Sequence, residues 1–216
     1  MKIFVDFDEV LFNSGKFVKD KDKIFIDNGI SKKIVNRVSD LFSSTSKCKR
    51  IPYTLERQVL FLKNRVKADY SKIGEEVQLL MDDLRMYIFS DAVSFFKKIP
   101  RKNLFILSYG DVNYQKSKIY GSRISKYFYK IIVNTEDKID HINKIAKKLH
   151  FSDKEKILII DDRPENLKKI EKFKKEIITI RMRRPGGRYS HLDCNEADYE
   201  VKNFKEALEI INRLKD

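Results

Sequence analysis

A chain of 216 residues with 42% hydrophobic content is long enough to bury a sizeable core and too apolar to be mostly disordered. Its two cysteines, Cys48 and Cys194, supply neither a disulfide framework nor a zinc-ligand spacing, and no apolar stretch reaches the roughly 20 residues that span a bilayer. The net charge of +14 reads either as a footprint for nucleic acid or another polyanion, or as lysines spread over solvated helix faces. The excess is diluted along the chain without a dense basic arm, which favours the second reading. Asp6, Asp8 and Glu9 interrupt the first apolar run before a signal-peptide core can form, so a reducing cytoplasm is the expected location.

The run Lys2-Ile3-Phe4-Val5-Asp6 reads as a buried strand. From about residue 15 to 89 no strand is evident. Helices are expected there over 31–42, 54–66 and 71–87, with loops at 43–46 and 50–52. A helix opening at Ser90 leads into a second strand over 103–108, and a third strand covers 130–134. The next helix, 138–149, places Ile139, Ile142, Ile145, Ala146 and Leu149 on one face. A strand over 156–161, a helix from Pro164 to Phe173, a strand over 176–181 and an amphipathic helix over 206–214 complete the order.

None of the strands alternates polar with apolar, as expected where helices cover both faces of a parallel sheet. The expected fold is α/β, a Rossmann-like three-layer sandwich with a mostly parallel sheet. Its core domain comprises residues 1–14 and 90–216, and residues 15–89 form an all-helical cap inserted after the first strand.

Polar residues then fall at strand ends in chain order. Asp6 and Asp8 close the first strand, and Ser108 closes the second, followed by Tyr109, Gly110 and Asp111. Lys138 opens the helix after the third strand, and Asp161-Asp162 close the fourth. A parallel sheet brings such residues to one rim, where ligands collect. Carboxylates crowded at a rim repel one another, and a hard divalent cation with oxygen ligands, of which magnesium is the natural choice, relieves that repulsion. A phosphate monoester fits the set. One carboxylate can attack phosphorus while a second transfers the leaving-group proton, with Ser108 and Lys138 available to the phosphoryl oxygens. Singly, each residue has a plain alternative as a cap, a turn residue or a solvated side chain.

The motifs together resemble the haloacid dehalogenase superfamily. Phe4-Val5-Asp6-Phe7-Asp8-Glu9-Val10 resembles its first motif, Phe105-Ile106-Leu107-Ser108 its second, and Ile157-Leu158-Ile159-Ile160-Asp161-Asp162 its fourth. Lys138 is placed as the third by its position before the fourth motif, ahead of Lys130 and Lys144. The resemblance implies that Asp6 is a covalent nucleophile and metal ligand. It makes Asp8 the acid and then the base, with its backbone carbonyl on the metal. Ser108 and Lys138 would hold the phosphoryl group, and Asp161 would bind Mg2+ with Asp162 beside it directly or through water. Tyr109, Gly110 and Arg183 join the expected substrate contacts. Dehalogenases of the family lack an acid at the position of Asp8, so Asp8 points to phosphoryl transfer.

The family often has Gly-Thr after its second Asp, where this chain has Glu9-Val10, and Glu9 is expected to turn away from the metal. Receiver domains combine similar residues, but in reversed order and without a helical insertion.

In the helical segment Tyr53, Arg57 and Arg65 are candidate substrate contacts with ordinary structural roles as the alternative. The arginine-rich loop 181–188 follows the fifth strand and suits an extended anion such as a nucleotide or a nucleic-acid end, with a basic surface loop as the equal alternative. His141, His150 and His191 lack metal spacing and read as surface or capping residues. The expected activity is Mg-dependent hydrolysis of a phosphorylated small molecule or nucleotide through an aspartyl-phosphate. The alternative is a polyanion-binding or nucleic-acid-binding protein on the same scaffold with little or no catalysis.

Overall fold

The computed structural model describes residues 1–43, 53–134, 155–171 and 177–215. The expected helix 138–149, Lys138, Cys48, His141, His150 and almost all of the two expected loops lie outside the described residues.

Six strands form one sheet: β1 Lys2–Val5, β2 Leu104–Tyr109, β3 Lys130–Asn134, β4 Ile157–Asp161, β5 Ile177–Met182 and β6 Tyr199–Val201. Their order is β3-β2-β1-β4-β5-β6, and every pairing is parallel. The mostly parallel sheet expected from the apolar runs is therefore parallel throughout. Neighbouring residues of these runs serve opposite faces. Ile3, Val5, Leu104, Ile106, Leu158 and Ile160 join one hydrophobic cluster, and Phe4, Phe105, Leu107 and Ile159 join the other. Residues covered on both faces need no polar alternation. Phe4 stacks on Phe105 across the strand pair with ring centroids 4.8 Å apart, which adds to register.

Eight α-helices are present among the described residues: α1 Ser14–Asp27, α2 Lys32–Ser43, α3 Leu55–Lys63, α4 Tyr70–Asp82, α5 Ser90–Lys98, α6 Val112–Gly121, α7 Pro164–Glu171 and α8 Phe204–Arg213. Side chains that satisfy otherwise unpaired amides start five of them. Asn13, Thr54, Asp69, Asp111 and Asn203 accept from backbone N–H groups of α1, α3, α4, α6 and α8 respectively. Helix α5 buries Ala92, Phe95 and Phe96 in the first cluster and meets α8 there, whereas α7 buries Leu167 and Ile170 in the second. The sheet is thus sandwiched, as the Rossmann-like expectation requires. No described helix is long and apolar enough to cross a membrane.

Helices α1 to α4 have a hydrophobic cluster of their own, built on Phe25, Ile30, Val35, Val38, Leu55, Leu62, Ile73 and Val77. Phe17 of α1, with Leu84 and Tyr87 just after α4, belongs instead to the cluster under the sheet. Gly121, the last residue of α6, lets this helical layer come close. A Cβ there would lie 2.6 Å from the Met81 carbonyl oxygen. Gly121→Ala is therefore expected to cost about 1–3 kcal/mol, the usual range for overpacking, and to lower Tm by several degrees. An unchanged thermal midpoint would show that α4 yields freely.

Candidate active site

The strand order reverses direction between β1 and β4, which is the crevice where open α/β sheets bind ligands. Asp6 follows β1 directly, and its backbone N–H donates to the Ile160 carbonyl at 2.9 Å, so Asp6 is held against the end of β4. Asp161 ends β4 and Asp162 follows. Carboxylate oxygens of Asp6, Asp161 and Asp162 all lie within 4.8 Å of one another, and all three residues are buried. Among the described residues this is the one group with such convergence. Asp161 is also oriented from behind: Asn166 donates Nδ2 to both its oxygens at 3.1 and 2.9 Å, and the Arg163 N–H donates to Oδ1 at 2.9 Å. An all-oxygen, triply anionic set suits a hard divalent cation such as Mg2+, and neutralises poorly without one.

Beyond Asp6 the chain reverses sharply. Leu11 and Phe12 donate to the Phe7 carbonyl at 3.0 and 2.9 Å, and Glu9 donates to Phe12 at 2.8 Å. The turn places Glu9 in the left-handed region, with φ of 59°. Glycine occupies that conformation without strain, whereas a side chain costs about 1–3 kcal/mol. This accounts for the glycine common at this position in the proteins the motif resembles. Glu9 is buried. It accepts from the Gly15 N–H and lines a small cleft with Asp162, Arg184, Tyr189 and Ser190. It does not belong to the converging trio. Burial pushes its carboxyl upward, and the neighbouring Asp8 charge adds to the rise.

Asp8 lies in the same turn and is partly buried. Its Oδ1 accepts from Ser14 Oγ at 2.5 Å and pairs with Lys118 Nζ, while Oδ2 accepts from Gln115 Nε2 at 2.7 Å. Burial alone would raise this carboxyl. The Lys118 charge and hydrogen bond, aided by Ser14 and Gln115, outweigh it and hold Asp8 below its ordinary value.

Ser108 lies near the C-terminal end of β2, two residues beyond the Val5–Ile106 pairing with β1. Its side chain is buried at 1% exposure, and its Oγ has no hydrogen-bond partner among the described residues. A buried hydroxyl left unpaired costs about 1–3 kcal/mol, so a ligand oxygen is its natural complement. Tyr109 is exposed, and its carbonyl accepts from Gln115 Nε2 at 3.0 Å. Gly110 has φ of 144°, and a Cβ there would meet Gln115 Cγ at 3.1 Å, so glycine keeps room for the amide that holds Asp8.

The arginine-rich loop is committed largely to its own chain. Arg181 is fully buried and donates to Glu200 and to the Tyr189 and Leu192 carbonyls. Arg183 donates to the Ser190 carbonyl at 2.7 Å and pairs with Glu200 and Asp193. Arg184 clamps Asp91. Arg188 is exposed, with its guanidinium 5.5 Å from the Tyr189 ring centroid. These pairings brace the loop, and they leave Arg183 little capacity for an external anion. In the helical layer Tyr53 bonds with Lys21 and Gln58, Arg57 lies 3.8 Å from Asp111, and Arg65 stacks on Phe61. His191 is exposed, as expected.

Two site residues escaped the sequence reading: Gln115 and Lys118 on α6. The helix has no apolar stripe to announce it, because the residues it buries are Gln115, Lys118 and Ile119. The available signal was Asp111 as an N-cap, followed by two polar residues one turn apart.

No protein-family model matches the sequence, and a search of curated proteins finds no similar one. Solved structures do match over nearly the whole chain. A protein from Burkholderia xenovorans described as a haloacid dehalogenase-like hydrolase superposes with a TM-score of 0.74 at 16% identity, covering 98% of this chain and 96% of that one. The magnesium-bound HAD-hydrolase YfnB of Bacillus subtilis gives 0.64 at 14% identity, covering 98% of each chain. A HAD phosphatase from Thermococcus onnurineus gives 0.63 at 17% identity, again covering 98% of each. A dehalogenase superposes equally well, with a TM-score of 0.64 at 12% identity, covering 97% of this chain and 96% of that one. The chain therefore has the fold of haloacid dehalogenase-like hydrolases. The fold is common to phosphatases and dehalogenases, so it does not choose between them.

Proposed function

We propose that this chain is a Mg2+-dependent phosphatase of the haloacid dehalogenase superfamily, acting on a phosphorylated small molecule or nucleotide, with residues 15–89 as its cap. The observation that carries the reading is the buried Ser108 Oγ, without a partner among the described residues, at the rim that also holds the acid trio and a further acid, Asp8. A carboxylate dehalogenation needs no acid at the position of Asp8, whereas departure of an alcohol from phosphorus needs a proton donor there.

In this reading Asp6 attacks phosphorus, the bond from phosphorus to the ester oxygen breaks, and Asp8 delivers a proton to the departing alcohol. Water then attacks the aspartyl-phosphate, giving its proton to Asp8, and the bond from phosphorus to Asp6 breaks to release inorganic phosphate. Ser108 donates to a phosphoryl oxygen, and Lys138 fills the same role by the resemblance of its position. Asp6, Asp161 and Asp162, with the Asp8 carbonyl, would hold the cation. When bound, it would offset carboxylate repulsion and developing phosphoryl charge. The reading includes a cytoplasmic location.

Phosphate release from an aryl phosphate, with Mg2+ and with a chelator, tests the class, run beside halide release from a 2-haloacid. Phosphate released only with Mg2+ supports it. Halide release, or no phosphate from any monoester, refutes it. Ser108→Ala is expected to lower kcat by roughly 10²–10³, the usual loss of one well-placed donor to a transition-state oxygen. It should leave Tm unchanged or raise it by a few degrees, because the hydroxyl has no partner among the described residues to lose. A large drop in Tm with unchanged kcat would reassign Ser108 to structure.

A further inference from the structure

Lys118 is placed where the fold alone gives no reason for a charge. It is 5% exposed, and its ammonium lies 5.0–5.9 Å from the ring centroids of Phe7, Phe12, Phe17 and Tyr114. An uncharged side chain of similar length, such as Met, would fill that aromatic pocket without the desolvation cost of an ammonium. What the charge gains is Asp8.

The grip on Asp8 is divided between two elements. Ser14 reaches it from the start of α1, and Gln115 and Lys118 reach it from adjacent turns of α6. Together they engage both oxygens and so fix the plane of the carboxylate. Gln115 is itself pinned by the Tyr109 carbonyl. We propose that Lys118 is a positioning residue for the reaction: with Ser14 and Gln115 it fixes the plane of the Asp8 carboxyl group and so orients it toward the leaving group. This rests on the phosphatase reading. It is separate from the phosphoryl contact assigned to Lys138, because the partner of Lys118 is the acid and not the phosphate site.

A group that acts through a proton donor has a recognisable signature. Leaving groups that depart as stable anions need little protonation, and poor leaving groups need it fully. The test compares wild type with Lys118→Met in the full chain with Mg2+, on an aryl phosphate with an acidic phenol and on an alkyl phosphate. Because kcat/KM reports the first, phosphorylating step, it isolates this role from the later hydrolysis. For the alkyl ester kcat/KM is expected to fall about 100-fold, and for the aryl ester less than about fivefold. In an Asp8→Asn background Lys118→Met should cost the alkyl ester no more than about a further twofold, because its target is gone. Equal losses on both esters, or a full additional loss beside Asp8→Asn, overturn the proposal.

If Lys118→Met does not fold, as read by its thermal transition, Gln115→Leu decides. That variant removes another hold on Asp8 and is expected to show the same preference for the aryl ester, whereas equal losses would overturn the role of the α6 clamp. Wild type inert toward both esters would defeat the phosphatase reading itself. Wild-type turnover with unselective losses would defeat only the role of Lys118.

Discussion

Asp6→Asn is expected to lower kcat for phosphate release by at least about a thousandfold, because an amide cannot form the covalent intermediate. The same change should make the metal-free protein more stable. Oxygens of Asp6, Asp161 and Asp162 lie within 4.8 Å of one another. At that separation two unit charges repel by roughly 3 kcal/mol at an effective dielectric constant near 20. Removing Asp6 relieves two of the three repulsions while Asn keeps the shape of the side chain. Tm measured in a chelator should therefore rise by several degrees, and the increase that Mg2+ gives the wild type should shrink. A catalytic group that costs stability is the pattern expected of a functional site. If Asp6→Asn kept its turnover, or lowered the metal-free Tm, these acids would be structural.

Asp91→Ala is expected to have the largest effect on folding. Asp91 accepts from both terminal nitrogens of Arg184, at 3.2 and 3.0 Å, and from the Phe204 N–H at 2.8 Å. Arg184 in turn donates Nε to the Val10 carbonyl at 3.0 Å and stacks on Phe89 at 3.8 Å. One ion pair thus joins the start of α5, the start of α8 and the turn that carries Glu9 and Val10. Arg184 is 8% exposed, so removing its carboxylate leaves a buried guanidinium half satisfied. The expected loss is about 3–5 kcal/mol, or on the order of 10 °C in Tm. The double variant Asp91→Ala with Arg184→Met should recover much of it, because the stranded charge is then absent. A single-variant loss under about 1 kcal/mol would mean that solvent reaches Arg184 easily.

The core strands were legible because burial on both faces writes an uninterrupted apolar run, as in Ile157-Leu158-Ile159-Ile160. The short β6, Tyr199–Val201, was not, since two of its three residues are exposed and it pairs only with β5. Helix α1 was hidden by Lys21, which sits between Phe17 and Phe25 on the buried face and breaks the stripe. Lys21 is buried with Gln58, Tyr53 and Asp22 meeting its ammonium, and the first two are too distant in sequence to be read locally.

The site divides the same way. Asp6, Asp8, Ser108 and Asp161-Asp162 were readable because each lies at or just beyond the C-terminal end of an apolar strand, and parallel topology does the rest. The hold on Asp8 was not readable, because Gln115 and Lys118 look like an ordinary solvated helix face until α6 is docked. The arginines of 181–188 show the opposite case. As a sequence they suggest an anion site, but Asp91, Asp193 and Glu200 engage the guanidinium groups of Arg181, Arg183 and Arg184 within the chain.

The central claim is that Asp6 becomes phosphorylated during turnover. The most direct measurement is rapid acid quenching of the Mg2+-loaded chain with an aryl phosphate, followed by mass analysis of its peptides. The prediction is a transient, base-labile phosphoryl group on the peptide containing Asp6, absent from Asp6→Asn. Phosphate release with no labelled peptide at any time after mixing, or a label on another residue, would contradict it.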